Sequence, residues 1–354
     1  MAHLRLSLVS GNGLDARRTN MTDWRSQLRA LMACVALATT LLSCAGDTDG
    51  GGVDVLIDGD TPGVHEVDDG VDGGDADAGD AQAAAIGPGR LAFRPHRDGN
   101  AEIYVMDVDG ANIQRLTDTP TAELGPAWSP DARRIAFASD RAGSWDIYVM
   151  DADGGNVQAL TDEPHVDVEP AWAPDGQRIA FRSDRDGRWS QIYVLDLENG
   201  RIEQLTNDPA AENEPTWSPD GSSIAFRYRP VGGGANWDVC ATDDAGDDFR
   251  FLTVALDMDV NPAWSPDGSR ITYSSHRDEN WDIYTIDADG ENTRRVTTHV
   301  RVDSEPTWSP DGRRIAFRSD RSGTWDIYVV DAVGGDVQRL TGGVGDNAEP
   351  AWSR

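Results

Sequence analysis

The sequence predicts an all-β fold: a six-bladed β-propeller with four antiparallel strands per blade, closed by its C-terminal strand. The first observation is a P-[AT]-W segment whose tryptophan recurs at Trp128, Trp172, Trp217, Trp264, Trp308 and Trp352, with spacings of 44, 45, 47, 44 and 44 residues, the period of four-stranded blades. The second is that three more short apolar segments recur between them in fixed order. The third is phase: the array opens at Leu91 without the tryptophan segment and ends on Trp352 with nothing to follow that segment, so tail and head complete one blade.

Along the chain, the first element is an address. Residues 30–42 (ALMACVALATTLL) form an apolar run of 13, too short to span about 30 Å of hydrocarbon but suited to the core of a secretory signal. Arg25 and Arg29 flank it, and Met21 is a candidate start. Leu41-Leu42-Ser43-Cys44 resembles the bacterial lipoprotein signal box, which implies a signal peptide over 1–43 and diacylation of Cys44. Several acyl chains on one residue give an anchor that a single chain does not. Ala45 after the cysteine points to the outer membrane, facing periplasm or exterior.

Residues 44–86 read as a tether. From 45 onward they carry twelve acids and no arginine, with many glycines, and bury too little apolar surface to offset chain ordering. Asp72, Asp75, Asp77 and Asp80 have the look of a calcium loop, but no bidentate glutamate follows, so a solvated linker is the expectation.

The propeller is expected over 87–354, with strands A to D in each blade. Strand A holds P-[AT]-W; strand B starts at Leu91, Ile135, Ile179, Ile224, Ile271 and Ile315; strand C holds Ile103, Ile147, Ile192, Val239, Ile283 and Ile327. The D positions are the [LV]-T pairs at Leu116, Leu160, Leu205, Leu252, Val296 and Leu340. These runs are rich in β-branched and aromatic residues and too closely spaced for helices. Strand C is apolar on both parities, as in a sheet covered on both faces. Ser-Pro-Asp-Gly, as at Ser218–Gly221, makes the A–B turn, and Asp-x-Asp-Gly, as at Asp151–Gly154, the C–D hairpin.

Charge narrows the partners. There are 62 acids against 31 bases, all of them arginine, and a net −31 argues against nucleic acid, which needs a basic face. Of three cysteines only Cys240 lies among the repeats, which rules out a disulfide framework and marks a buried thiol.

The motifs W-S-P-D-G-x-x-I-A-F, S-D-R-x-G-x-W-D-I-Y-V-M-D-x-D-G and L-T resemble the propeller of the TolB family, over about residues 87–354. The resemblance implies a bacterial envelope protein whose channel mouth and loops bind proteins or extended peptides. The α/β domain that precedes the TolB propeller has no counterpart in the sequence given, where the acidic tether stands instead.

Candidate binding residues follow from the repeat. Three residues before each strand-A proline stand Glu123, Asp167, Glu212, Asp259, Asp303 and Asn347; one residue before it stand Gly125, Glu169, Glu214, Asn261, Glu305 and Glu349. Sixfold repetition places these carboxylates in rings at one channel mouth, where they would attract a basic peptide or a cation. The alternative is structural: the acids accept backbone N–H bonds or pair with the arginine of S-D-R. Trp145, Trp189, Trp237, Trp281 and Trp325, before strand C, are expected to pack between blades, and the Gly232–Gly234 insertion marks blade four as divergent.

No nucleophile-elbow, zinc-protease, phosphate-loop or paired-cysteine motif is present, so the expectation is a binding protein, not an enzyme. No cofactor is expected, with Ca2+ or another divalent cation as the minor alternative, and the default state is a monomer. The competing reading is a metal-dependent propeller enzyme of polysaccharide lyase or hydrolase type, with His165 and His299 in equivalent D–A links as its candidate ligands.

Overall fold

The computed structural model of the protein describes residues 89–353, apart from 98, 188, 233–235, 343 and 344. The signal segment, Cys44, the tether, Gly233 and Gly234 lie outside the described residues.

Six antiparallel sheets follow one another as blades, each ordered A-B-C-D. The A strands are Glu123–Trp128, Asp167–Trp172, Ala210–Trp217, Asp259–Trp264 and Asp303–Trp308 in blades two to six. Blade one takes its A strand, Asp346–Trp352, from the chain's end: Leu91 pairs with Trp352 and Ala92 with Ala351. Contacts run from each A strand to the next and from the last back to the first, so blades two and five face each other across the ring. The closure read from the phase of the repeat is the one observed.

The B strands supply the largest buried side chains, Phe93, Phe137, Phe181, Phe226, Tyr273 and Phe317, all 0% exposed. In five blades the aromatic residue sits opposite a tyrosine on strand C, as in Phe137↔Tyr148, with ring centroids about 6 Å apart. Blade four pairs Phe226 with Cys240, and Phe249 moves in to 6.1 Å from Phe226.

The L-T pair has a defined task. Its threonine hydroxyl accepts the N–H at the head of strand C in every blade, for example Ile147 N–H to Thr161 Oγ1 at 2.9 Å and Ile327 N–H to Thr341 Oγ1 at 2.9 Å. It thereby satisfies a buried donor that the two- or three-residue D strand does not reach. The hairpin glycines press on the neighbouring blade: a Cβ at Gly246 would lie 2.2 Å from the Leu205 carbonyl oxygen, and at Gly110 2.4 Å from that of Leu340.

Candidate functional site

Every A strand carries a β-bulge at the residue before its proline, where the register to strand B shifts. The bulged residue has left-handed backbone: φ is 59° at Glu169, 57° at Glu214, 53° at Asn261, 55° at Glu305, 54° at Glu349 and 61° at Gly125. Such a conformation costs a non-glycine residue about 1–2 kcal/mol, so something must hold it. These six residues and the prolines that follow them line a single cavity of about 500 Å³. It is the channel mouth.

Five bonds between successive blades, running from blade three round to blade two, hold the bulges. Glu349 Oε2 accepts the Gly125 N–H at 2.6 Å, Glu169 Oε2 the Glu214 N–H at 2.7 Å, Glu214 Oε2 the Asn261 N–H at 2.7 Å, and Glu305 Oε2 the Glu349 N–H at 2.6 Å. Asn261 is shorter, and there Ser274 Oγ accepts the Glu305 N–H at 3.0 Å. Gly125 has no side chain to offer to blade three.

Each of these glutamates also meets an arginine from strand B of its own blade. Arg94 lies 2.9 Å from Glu349, Arg227 3.1 Å from Glu214, Arg318 2.9 Å from Glu305 and Arg182 3.9 Å from Glu169. Arg227 and Arg318 stack in turn on Trp237 and Trp325, at 4.2 and 3.9 Å from the ring centroids. Burial pushes the Glu214 carboxyl up to about 7, against the pull of Arg227 and with a push from Glu169. Burial raises Glu349 too, opposed by Arg94. The mouth is thus a ring of Glu–Arg pairs and carries much less net negative charge than a ring of free carboxylates.

The other five sequence candidates are placed differently. Glu123, Asp167, Glu212, Asp259 and Asp303 are all 0% exposed and do not line the cavity. The expectation of two carboxylate rings at the mouth is corrected to one. Strand alternation is the reason: the residue three before the proline points into the blade, and only the bulged residue turns to the axis. Four of the five pair with the arginine of their own blade's S-D-R or S-H-R: Arg141–Glu123 at 3.0 Å, Arg185–Asp167 at 2.9 Å, Arg277–Asp259 at 3.2 Å and Arg321–Asp303 at 2.8 Å. Glu212 has no such partner; the Thr206 hydroxyl is its nearest polar support.

Of the tryptophans before strand C, expected to pack between blades, Trp145 packs against the cluster of blade three, whereas the rings of Trp237, Trp281 and Trp325 meet Arg227, His276 and Arg318 of their own blades. The carbonyls of Trp145, Trp237, Trp281 and Trp325 accept the N–H at the acid or amide position of the next blade, as in Asp167 N–H to Trp145 O at 2.8 Å. Trp189 is 42% exposed. Below the mouth, the six strand-A tryptophans line a second cavity of about 370 Å³. Neither His165 nor His299 lines either cavity; the imidazole of His299 accepts the Arg301 N–H. Among the described residues no group of three His, Cys, Asp or Glu side chains is placed to hold a metal ion. Cys240 is fully buried, and burial raises its thiol.

The sequence held a signal for the arginine partners that the reading of the acids alone did not use. Where strand A has Glu at the bulge, strand B has Arg (94, 182, 227, 318); where it has Gly125, strand B has Ala138; where it has Asn261, strand B has Ser274. The repeats vary in step because the side chains touch.

The TolB beta propeller domain matches the chain over residues 78–165, 126–257 and 248–354. A curated relative, the Tol-Pal system protein TolB of Geobacter sulfurreducens, is 49% identical over 45 residues, 13% of this chain and 10% of that protein, so the match spans about a tenth of its length. Among solved structures, TolB from Acinetobacter baumannii superposes with a TM-score of 0.66 at 22% identity, covering 75% of this chain and 66% of that one. An oligogalacturonate lyase from Vibrio parahaemolyticus gives 0.52 at 18% identity, covering 71% and 73%. At these identities the structural likeness is one of fold.

Proposed function

This chain belongs to the TolB beta propeller domain family, and from that premise we propose that it is a lipid-tethered envelope protein whose propeller binds an extended segment of a protein partner across its channel mouth. The observation that carries this reading is the uneven chemistry of the mouth. Glu–Arg pairs stand on blades one, three, four and six, in two banks. Between the banks, on opposite blades two and five, Gly125 with Ala138 and Asn261 with Ser274 leave an uncharged lane across the opening. Leu124, Trp145, Val166 and Val168 supply apolar wall at the blade-two end.

Such a lane suits a peptide laid from blade two to blade five. Gly125 gives no carboxylate to the Glu169 N–H, leaving that donor for a carbonyl of the bound segment, and the flanking pairs offer donors and acceptors to side chains of either sign. The net charge of −31 favours approach of a basic segment. No reaction is assigned. The lipid anchor rests on the apolar run 30–42 and Cys44, and the outer-membrane address on Ala45; Cys44→Ser should move the protein from the membrane fraction to the soluble fraction.

The lane can be closed with the protein's own solution. Replacing Gly125 and Ala138 by Glu and Arg, and Asn261 and Ser274 likewise, copies the pair of the other four blades. A Cβ at Gly125 meets Pro170 no closer than 3.6 Å. The filled variant should fold with a lowered melting temperature, since Gly125 has φ 61° and Ala138 is fully buried, and should lose partner binding; retained binding with an intact fold would refute a lane-bound partner.

A further inference from the structure

Blade four has lost both arginines that neutralise buried acids elsewhere. Opposite Glu212 stands Tyr228 in place of serine, and Pro230 occupies the place of Arg185 of blade three. On strand D, Phe251 replaces the arginine that in blades one, five and six pairs with the acid before strand C, as Arg339 does with Asp326 at 2.6 Å. Both acids nevertheless remain: Glu212, 0% exposed with no arginine against it, and Asp238, 8% exposed. Blade one carries an uncharged amide, Asn347, at the position of Glu212.

We propose that blade four is a proton-dependent switch, in which Glu212 is buried as the neutral acid and its ionisation loosens the blade. The groups around it offer no compensating charge. Strand B presents Tyr228, while Arg227 and Arg229 turn to the Trp237 ring at 4.2 and 4.5 Å. Strand C presents Asp238 and Cys240, and the preceding link Asp208; blade three contributes the Ser190 carbonyl, which accepts the Glu212 N–H at 2.9 Å. An isolated carboxylate in such surroundings is costly, so the group keeps its proton instead. Burial pushes the Glu212 carboxyl up to about 8, opposed by the Thr206 hydroxyl and assisted by Asp208, and burial pushes Asp238 up to about 6.

Between the ordinary value of 4.5 and about 8 the folded chain holds a proton on Glu212 that the unfolded chain has released. Stability from this group is therefore whole below that window and falls as pH rises through it, the unfolding constant growing about tenfold per pH unit. Glu214 sits two residues along the same strand and bonds Asn261 of blade five, so loosening of this strand reaches the mouth.

The test compares the intact protein with Glu212→Gln by urea unfolding from pH 5 to 9, together with hydrogen exchange. The expected result is that the ratio of the two unfolding constants changes on the order of a hundredfold or more across the window, with Glu212→Gln the more resistant at high pH. Protection over residues 223–243 should fall above pH 8 in the native protein alone. Tyr228→Ser with Pro230→Arg, which restores the arginine, should remove the same pH dependence and serves if the glutamine variant folds poorly. Parallel pH curves, a Glu212 carboxyl carbon titrating near 4.5 by NMR, or loss of protection confined to other blades would each overturn the switch.

Discussion

Removing the guanidinium of Arg321 should expose how much the buried acids depend on their partners. Asp303 is 0% exposed; Arg321 Nη2 reaches its two oxygens at 2.8 and 2.9 Å, and Arg321 Nε donates to Ser319 Oγ at 3.1 Å. The guanidinium also lies over Tyr328 at 4.9 Å and Phe317 at 5.2 Å. Arg321→Ala leaves a fully buried carboxylate without its ion-pair partner, a change that costs about 3–5 kcal/mol where one partner of a buried pair is deleted. For a domain of this size that is a fall in melting temperature of roughly 6–20 °C. Adding Asp303→Asn removes the stranded charge and should recover most of the loss, because a buried pair replaced as a pair is often close to neutral. Urea and thermal unfolding at pH 7 of the two single variants and the double give the coupling directly. A loss below about 1 kcal/mol in Arg321→Ala, or no recovery in the double variant, would refute this account of the inner acids.

Other expectations follow from single contacts. Ala132 holds the turn position that glycine holds in other blades, at φ 55°, so Ala132→Gly should raise stability by about 1 kcal/mol in chemical denaturation. Gly246→Ala should destabilise by more than about 1 kcal/mol, since its Cβ would meet the Leu205 carbonyl oxygen at 2.2 Å and its φ is 80°; an unchanged midpoint would contradict the close blade contact. Truncation after Gly345 deletes the strand that pairs with Arg90–Arg97, and should replace one cooperative calorimetric transition by a broad one at lower temperature.

The fold was legible because its signals are local and repeated. Trp128 and its five counterparts mark strand A, the Ser-Pro-Asp turns mark its end, and the unmatched segments at Leu91 and Trp352 dictate how the ring closes. The site was legible only in part. Glu169, Glu214, Glu305 and Glu349 do reach the mouth, but spacing from a proline does not reveal which residue a bulge turns inward, so Glu123, Asp167, Glu212, Asp259 and Asp303 were expected beside them and lie buried instead. Charge counting along one strand also missed Arg94, Arg182, Arg227 and Arg318, which come from the neighbouring strand and neutralise the ring. Blade four reads in sequence as a divergent repeat; that its divergence strands Glu212 without a partner follows only from the register that sets Tyr228 opposite it.

The most direct test of the central claim is cross-linking mass spectrometry on native envelopes, comparing the protein with its lane-filled variant (Gly125→Glu, Ala138→Arg, Asn261→Glu, Ser274→Arg) after both are shown to be folded at the assay temperature. The account predicts a specific partner in the native sample, cross-linked to residues around the mouth and absent with the filled variant. The same partner captured equally by both, or cross-links confined to the outer strands, would contradict binding across the channel mouth.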